Sequence, residues 1–221
     1  MLNASCRLRY RAFVAATRND RSEAILHAAM LLFHERGFGS VGVDLIGERA
    51  GISGPAIYRY FSGKDEILVT LLDEAIDRVL MITGGKFDNP LDELAHLVRG
   101  HVTRVLEEPK LMSLWTKERN SVPKQYGQRL RSRINRYVDR WADVLDGCYP
   151  GHSRPTLVAS VHAAHGLIDS TVFWPRSSLK VGGLEDMLTA MTMASLEWLG
   201  QNASTPASQK RPRKAATKRT S

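Results

Sequence analysis

Apolar residues recur along this chain at helical spacing. Ile25, Ala28, Ala29, Leu32 and Phe33 fall at i, i+3, i+4, i+7 and i+8, the stripe of an amphipathic helix. Asp20, with Glu23 three residues on, makes a capping-box pattern at its start, and Gly37 stops it after Arg36. A second helix is predicted over about Val43–Ala50 and a third over about Gly54–Phe61. A fourth, longer one runs from Lys64 to about Thr83, marked by Leu68, Leu71, Leu72, Ala75 and Val79. Gly84, Gly85, Asn89 and Pro90 form a linker, and a second helical block follows. Its helices are expected over Leu91–Glu107, Pro109–Arg119, Pro123–Asp146, Arg154–Phe173 and Leu184–Gly200. The breaks are Pro109, Pro123, the Pro150-Gly151 pair, Pro175 and Gly182-Gly183. No segment alternates with period two for long enough to make a strand, so the fold class expected is all-α.

The stretch Val43–Phe61, VDLIGERAGISGPAIYRYF, is the most informative part of this pattern. It spells a short helix, a glycine turn and a second short helix, the arrangement in which the second helix enters the DNA major groove. Gly51 supplies the turn, where positive φ is cheap only for glycine. Ile52 should plug the junction of the helices, and Ser53 is a natural N-cap. Gly54, Pro55 and Ala56 occupy the first turn, where small side chains let backbone amides approach DNA. Ile57 and Phe61 should face the core while Tyr58, Arg59 and Tyr60 project outward. Tyrosine hydroxyls suit phosphate oxygens, and a guanidinium suits the O6/N7 edge of guanine. Lys64 starts the fourth helix beside the DNA backbone.

With its 221 residues and 43% hydrophobic composition the chain can bury one sizeable core or two small ones. Charge sharpens the DNA reading, because the net +8 is unevenly placed. Met1 to Arg21 carries five arginines against one acid, and Asn202 onward carries six bases and no acid, leaving −2 for the body between. Basic arms flanking a DNA-binding unit commonly add phosphate contacts. No apolar run approaches the ~18 residues of a membrane helix, and the arginine-studded start reads as an arm, not a secretion signal. Cys6 and Cys148 lie far apart, which fits a reducing cytoplasm and no disulfide framework. The expected location is cytoplasmic and nucleoid-associated, with no membrane partner.

The segments ILHAAMLLFHERGF, GERAGIS and AIYRYFSGKDEIL together resemble the TetR-type transcriptional regulators. The resemblance covers about Ser22 to Leu72. It implies an all-helical homodimer with an N-terminal three-helix helix-turn-helix DNA-binding domain, a connecting fourth helix and a C-terminal helical domain that binds ligand and dimerises. Carried over by position, Tyr58, Tyr60 and Lys64 hold phosphates, and Gly54, Pro55, Ala56 and Arg59 face bases. The chain departs from the family pattern at Val41 and Gly42, where Thr or Ser usually caps the second helix, and at Asp44, where a basic residue is common. Asp44 is expected to face away from DNA or to support the helix N-terminus. The domains expected are a basic arm (1–19), the DNA-binding domain with the fourth helix (20–83), the ligand-binding and dimerisation domain (84–201) and a disordered basic tail (202–221). The partners implied are a double-stranded DNA operator, a second copy of the chain and a small-molecule inducer of apolar or acyl/CoA-like character. No cofactor is expected.

The C-terminal block offers less. Leu157, Val158, Val161, Ala164, Leu167, Ile168 and Val172 form one apolar face. Leu184, Met187, Leu188, Met191, Ala194, Ser195 and Trp198 form another. Two such stripes suit a four-helix bundle made from two protomers. A pocket between these helices could be lined by Trp115, Glu118, Arg119, Tyr126, Trp141, His165, Asp169 and Trp174. Arg119 with Arg129, Arg131 and Arg133 could attract an anionic head group, against the blander reading of a solvated helix face. His162, His165 and Asp169, at i, i+3 and i+7, have the spacing of metal ligands but equally that of a hydrogen-bonded core; no metal is expected. Gly84-Gly85-Lys86 lacks the rest of a phosphate-binding loop, and neither a nucleophile elbow nor an HExxH motif occurs, so the chain is not expected to be an enzyme. Two rivals stand beside the ligand-responsive regulator, most simply a repressor: a general DNA-architectural protein driven by its basic arms, and a metal-dependent enzyme built on His162, His165 and Asp169.

Overall fold

The computed structural model describes residues 20–119 and 121–202, so the basic arm, Cys6 and nearly all of the basic tail lie outside the described residues. Nine α-helices occur among the described residues, with no strand: α1 (Asp20–Arg36), α2 (Val43–Ala50), α3 (Gly54–Ile57), α4 (Lys64–Ile82), α5 (Pro90–Glu107), α6 (Pro109–Glu118), α7 (Lys124–Cys148), α8 (Arg154–Asp169) and α9 (Leu184–Gln201). None is long and apolar enough to cross a membrane.

Local chemistry explains the boundaries. Asp20 and Glu23 stand in the first turn of α1 and His34 and Arg36 in its last, each matching the helix dipole. Gly37, at φ 78°, ends it, its amide donating to the Phe33 carbonyl at 2.9 Å. Asn89 caps α5 by accepting from the Leu91 amide at 2.9 Å, with Pro90 preorganised in the first turn. Ser153 does the same for α8, accepting from the Thr156 amide. The segment expected to be helical through Phe173 leaves α geometry at Asp169 and tightens into a 3-10 turn over Ser170–Phe173.

Two hydrophobic clusters result. One gathers Ile25, Leu32, Phe33, Ile46, Ile57 and Leu68 from the first four helices, but it also takes in Leu111, Leu114 and Leu130 from α6 and α7. The other gathers Leu94, Val98, Trp141, Leu145, Val161 and Leu188, and includes Val79 of α4. Leu80, Trp115 and Ile134 pack against both. The cores therefore interlock across α4, α6 and α7. Ion pairs reinforce that seam: the Arg133 guanidinium, largely buried, bonds Asp73 of α4 at 2.6 Å and also Asp77. Arg133 is thereby committed to structure and is not an anion site.

Candidate nucleic-acid interface and ligand cavity

α2 and α3 meet at a turn that glycines make possible. Gly51 is left-handed, at φ 70° and ψ 29°, and the Ile52 amide donates back to the Gly47 carbonyl at 3.0 Å. Gly47 itself is buried against the incoming chain. A Cβ there would come within 2.9 Å of the Gly54 nitrogen and the Ile52 oxygen, which are backbone and cannot yield. Any side chain at Gly47 would wedge the two helices apart, a role sequence reasoning missed; the visible signal was a glycine inside an otherwise regular helix, where it costs about 1 kcal/mol relative to alanine.

α3 is shorter than expected. Its α geometry ends at Ile57, and the Tyr60 and Phe61 amides both return to the Ile57 carbonyl, at 2.8 and 3.0 Å. That tight turn keeps Ile57 and Phe61 together in the core while Tyr58 stays 61% exposed and Arg59 is exposed beside it. Tyr60 is half-buried and packs against the N-terminal core. Ser53 occupies the N-cap position, but its side chain makes no capping hydrogen bond. Pro55 is exposed, and Gly54 and Ala56 are half-buried.

Asp44 stands in the first turn of α2, where its charge suits the helix N-terminus. It lies across the start of α3: a Cβ built on Gly54 would stand 1.9 Å from Asp44 Oδ1 and 3.0 Å from its Cγ. Glycine at 54 thus makes room for the carboxylate. Lys64, expected beside the DNA backbone, points its ammonium at the protein. It donates to the carbonyls of Phe38 and Val41, both at 3.1 Å, and of Gly39 at 3.5 Å, and sits 4.6 Å from the Phe38 ring centre. Its three donors match three carbonyls of the turn that leads into α2, a turn with no capping side chain of its own. Arg49 ties α2 to α1 through two bonds to Glu35, at 3.1 and 3.2 Å, and holds that carboxyl below its usual range.

A cavity of about 560 Å³ lies among α4, α5, α6, α7, α8 and the Ser170–Phe173 turn. Of the residues expected in a pocket, Trp115, Arg119, His165 and Asp169 line it. Trp141 is fully buried behind the wall, its ring edge-on to His165 at 4.7 Å. Glu118 turns toward the N-terminal half and accepts from the Phe38 amide at 3.2 Å. Tyr126 belongs to the first turn of α7, two or more turns before the lining positions Ile134, Tyr137 and Val138. Trp174 follows the 3-10 turn and packs against the C-terminal core.

The polar end of the cavity rests on two residues not anticipated, His101 and Tyr137. His101 Nδ1 lies 3.1 Å from the Tyr137 hydroxyl, and His101 Nε2 lies 3.1 Å from Asp169 Oδ1. A carboxylate can only accept, so Nε2 carries a hydrogen and donates. His165 stacks on His101, with ring centres 4.4 Å apart. Burial, then the neighbouring His101 and His162, push the His165 imidazole well below its ordinary value, and burial pushes the Tyr137 phenol up. Both residues could have been found. His101 stands on the stripe Leu94, Leu97, Val98, His101, Val105, and Tyr137 on Leu130, Ile134, Tyr137, Val138, Trp141. His162 also lines the cavity, yet no group of three His, Cys, Asp or Glu that could hold a metal occurs among the described residues.

The two apolar stripes of α8 and α9 divide. Leu157, Val161, Ala164 and Ile168 are buried within the chain, as are Leu184, Leu188, Leu196 and Leu199. Met187, Met191 and Trp198 are 41%, 51% and 56% exposed, with Ala194 between them on the outer face of α9. On α8 the small residues Ala159 and Ala163 are exposed beside His162.

Residues 25–71 match the family described as "Bacterial regulatory proteins, tetR family". The HTH-type transcriptional regulator EthR of Mycobacterium tuberculosis is 38% identical over 74 residues, 34% of this chain and 34% of EthR. The chain therefore matches about a third of the length of such curated relatives. A tetR-family regulatory protein from Rhodococcus RHA1 superposes with a TM-score of 0.73 at 15% identity, covering 83% of this chain and 98% of that one. AibR, solved with isovaleryl coenzyme A and operator DNA, superposes at 0.68 and 16% identity, covering 79% and 97%. At those identities the superpositions establish a shared all-helical fold.

Proposed function

We propose, from the premise that the N-terminal domain of this chain is that of the tetR family of bacterial regulatory proteins, that the protein is a ligand-responsive transcriptional regulator that binds operator DNA as a homodimer. The observation that carries this reading is the α2–α3 unit: Gly47 and Gly51 close the two helices together and leave Tyr58 and Arg59 exposed at the end of α3. In this reading Arg59 meets a base edge and Tyr58 and Tyr60 meet phosphates. Ser53, Gly54, Pro55 and Ala56 bring backbone close to the groove. Lys64 positions the turn before α2, with its ammonium occupied by carbonyls. The outer faces of α8 and α9 supply the dimer contact, which would set the two recognition helices about 34–36 Å apart. The small molecule occupies the cavity, and the acyl-CoA complex of AibR supports an acyl-type body for it. Repression, relieved when ligand favours a conformation with the wrong helix spacing, is the simplest sign of regulation.

A binding-site selection with the full chain at physiological salt tests the reading. It should return a two-fold symmetric operator, and Arg59→Ala should relax preference at one base pair per half-site by roughly 1–3 kcal/mol. Tyr58→Phe should weaken binding to all sequences alike. An unchanged operator for Arg59→Ala would refute the base-reading role, and a chain with no sequence preference would favour the architectural alternative.

A further inference from the structure

The side chains that line the cavity limit what can sit there. One wall is apolar, formed by Ile76, Val79, Met112, Ile134 and Val138. The lining also presents His101, Tyr137, His165 and Asp169, with His162 alongside. No lysine lines the cavity, and its one arginine, Arg119, belongs to an exposed position just past α6. The formal charge at the polar end is therefore the Asp169 carboxylate.

Three head groups can be weighed against that arrangement. A carboxylate would stand beside Asp169 with no fixed cation to offset it, and two like charges in a partly dry site are strongly disfavoured. An ammonium would satisfy Asp169 but offers no acceptor to an imidazole N–H. A hydroxyl both donates and accepts. Asp169 can take a further hydrogen bond beyond the one from His101. His165, kept neutral by burial, holds one donor and one acceptor nitrogen. The polar end thus offers an acceptor-only group next to a ring with both functions, and a hydroxyl is the smallest group that answers both.

We propose that the cavity selects a ligand with an apolar body that ends in an uncharged hydroxyl, held between Asp169 and the His165 imidazole. This rests on the reading of the cavity as the ligand site. Its volume, about 560 Å³, lies within the roughly 300–1,000 Å³ typical of small-molecule sites. Asp169 and His165 face the ligand directly in this arrangement, while His101 and Tyr137 act through Asp169 and hold it in place.

Three probes that share one hydrocarbon and differ in head group test the proposal: 1-octanol, octanoate and octylamine, titrated calorimetrically into the full-length protein near neutral pH. Octanol should bind at least about tenfold more tightly than either of the others, the scale of one well-made hydrogen bond. Equal or tighter binding of octanoate or octylamine overturns the proposal, and so does binding of none of the three. In Asp169→Asn, the advantage of octanol over octanoate should shrink to about threefold or less, with the circular dichroism spectrum showing that the fold persists; an undiminished advantage overturns the role of Asp169. These titrations contain no DNA. Failure here with a symmetric operator still selected leaves the regulator reading standing, and failure of operator selection with octanol preferred leaves the ligand assignment standing.

Discussion

The N-terminal half of this protein is shaped by what it leaves out, and the cavity-bearing half by what it encloses. Around α2 and α3, Gly47, Gly51 and Gly54 are places where a side chain would collide with backbone, fit a left-handed turn badly or strike Asp44. The surface they create is held from outside, by Lys64 on three carbonyls and by Arg49 on Glu35. In the C-terminal half, polar side chains are drawn inside: His101, Tyr137, His165 and Asp169 form a hydrogen-bonded and stacked group against Trp141. A DNA-reading unit needs close backbone approach and a rigid, exposed face. A small-molecule site needs enclosed volume and a few convergent polar groups. The difference teaches that neighbouring segments of one helical chain meet these demands with different residue types, small and apolar in one, aromatic and titratable in the other.

That contrast can be broken or sharpened by experiment. The largest effect is expected from Trp141→Ala, which empties a fully buried site and should cost roughly 3–5 kcal/mol in urea unfolding. Because Leu80, Trp115 and Ile134 pack against both cores, the loss should appear in one cooperative transition. Two separated transitions would show the halves to be energetically independent. Gly54→Ala should cost about 1–3 kcal/mol through overpacking against Asp44, and adding Asp44→Ala should restore more than half of it. No recovery in that double variant would mean that the backbone, not the carboxylate, demands glycine.

Acid should separate the halves by depth. His165 is held below its ordinary value of 6.5, so the unfolded chain takes up the proton first as pH falls. Its contribution is fully present above about pH 6.5 and is lost below it, by up to roughly 1.4 kcal/mol per pH unit for one proton. His34 in α1 is shifted in the same direction, by shallower burial and then by Lys117 and Lys110. In denaturation midpoints measured from pH 7.5 to 5, His165→Phe should flatten the slope more than His34→Phe; the reverse order would contradict the deeper burial of the cavity group. The smallest effect is expected at the bridge between halves. Glu118→Ala removes the acceptor of the Phe38 amide and should cost about 1 kcal/mol, measurable as faster hydrogen exchange of the residues leading into α2.

Much of the helical order is legible from spacing alone. The stripe Ile25, Ala28, Ala29, Leu32, Phe33 is buried along its length, and Val43–Ala50 is the helix observed. Periodicity is less informative where a helix has two buried faces or one buried and one exposed. On α9 it merges Leu184 and Leu188, which enter the core, with Met187, Met191 and Trp198, which remain outside. Aromatic and charged residues of the C-terminal block all read alike as candidates for a pocket. Trp115 and Arg119 line the cavity, whereas Trp141 stands behind its wall and Glu118 reaches the turn before α2. The histidine that organises the polar end, His101, hides on a stripe that otherwise reads as plain core.

By itself the sequence determined the order of the helices and the glycine turn between α2 and α3, though not where α3 and α8 end, because these depend on residues within a few positions of each other: stripes at 3.6-residue spacing and backbone freedom at Gly51. Only the tertiary structure decided that Gly47 must be bare, that the Lys64 ammonium belongs to the turn before α2, and that His101 meets Tyr137 and Asp169 across 36 and 68 residues of chain. Those outcomes depend on how three or more helices approach one another, a distance and an orientation that no local pattern encodes.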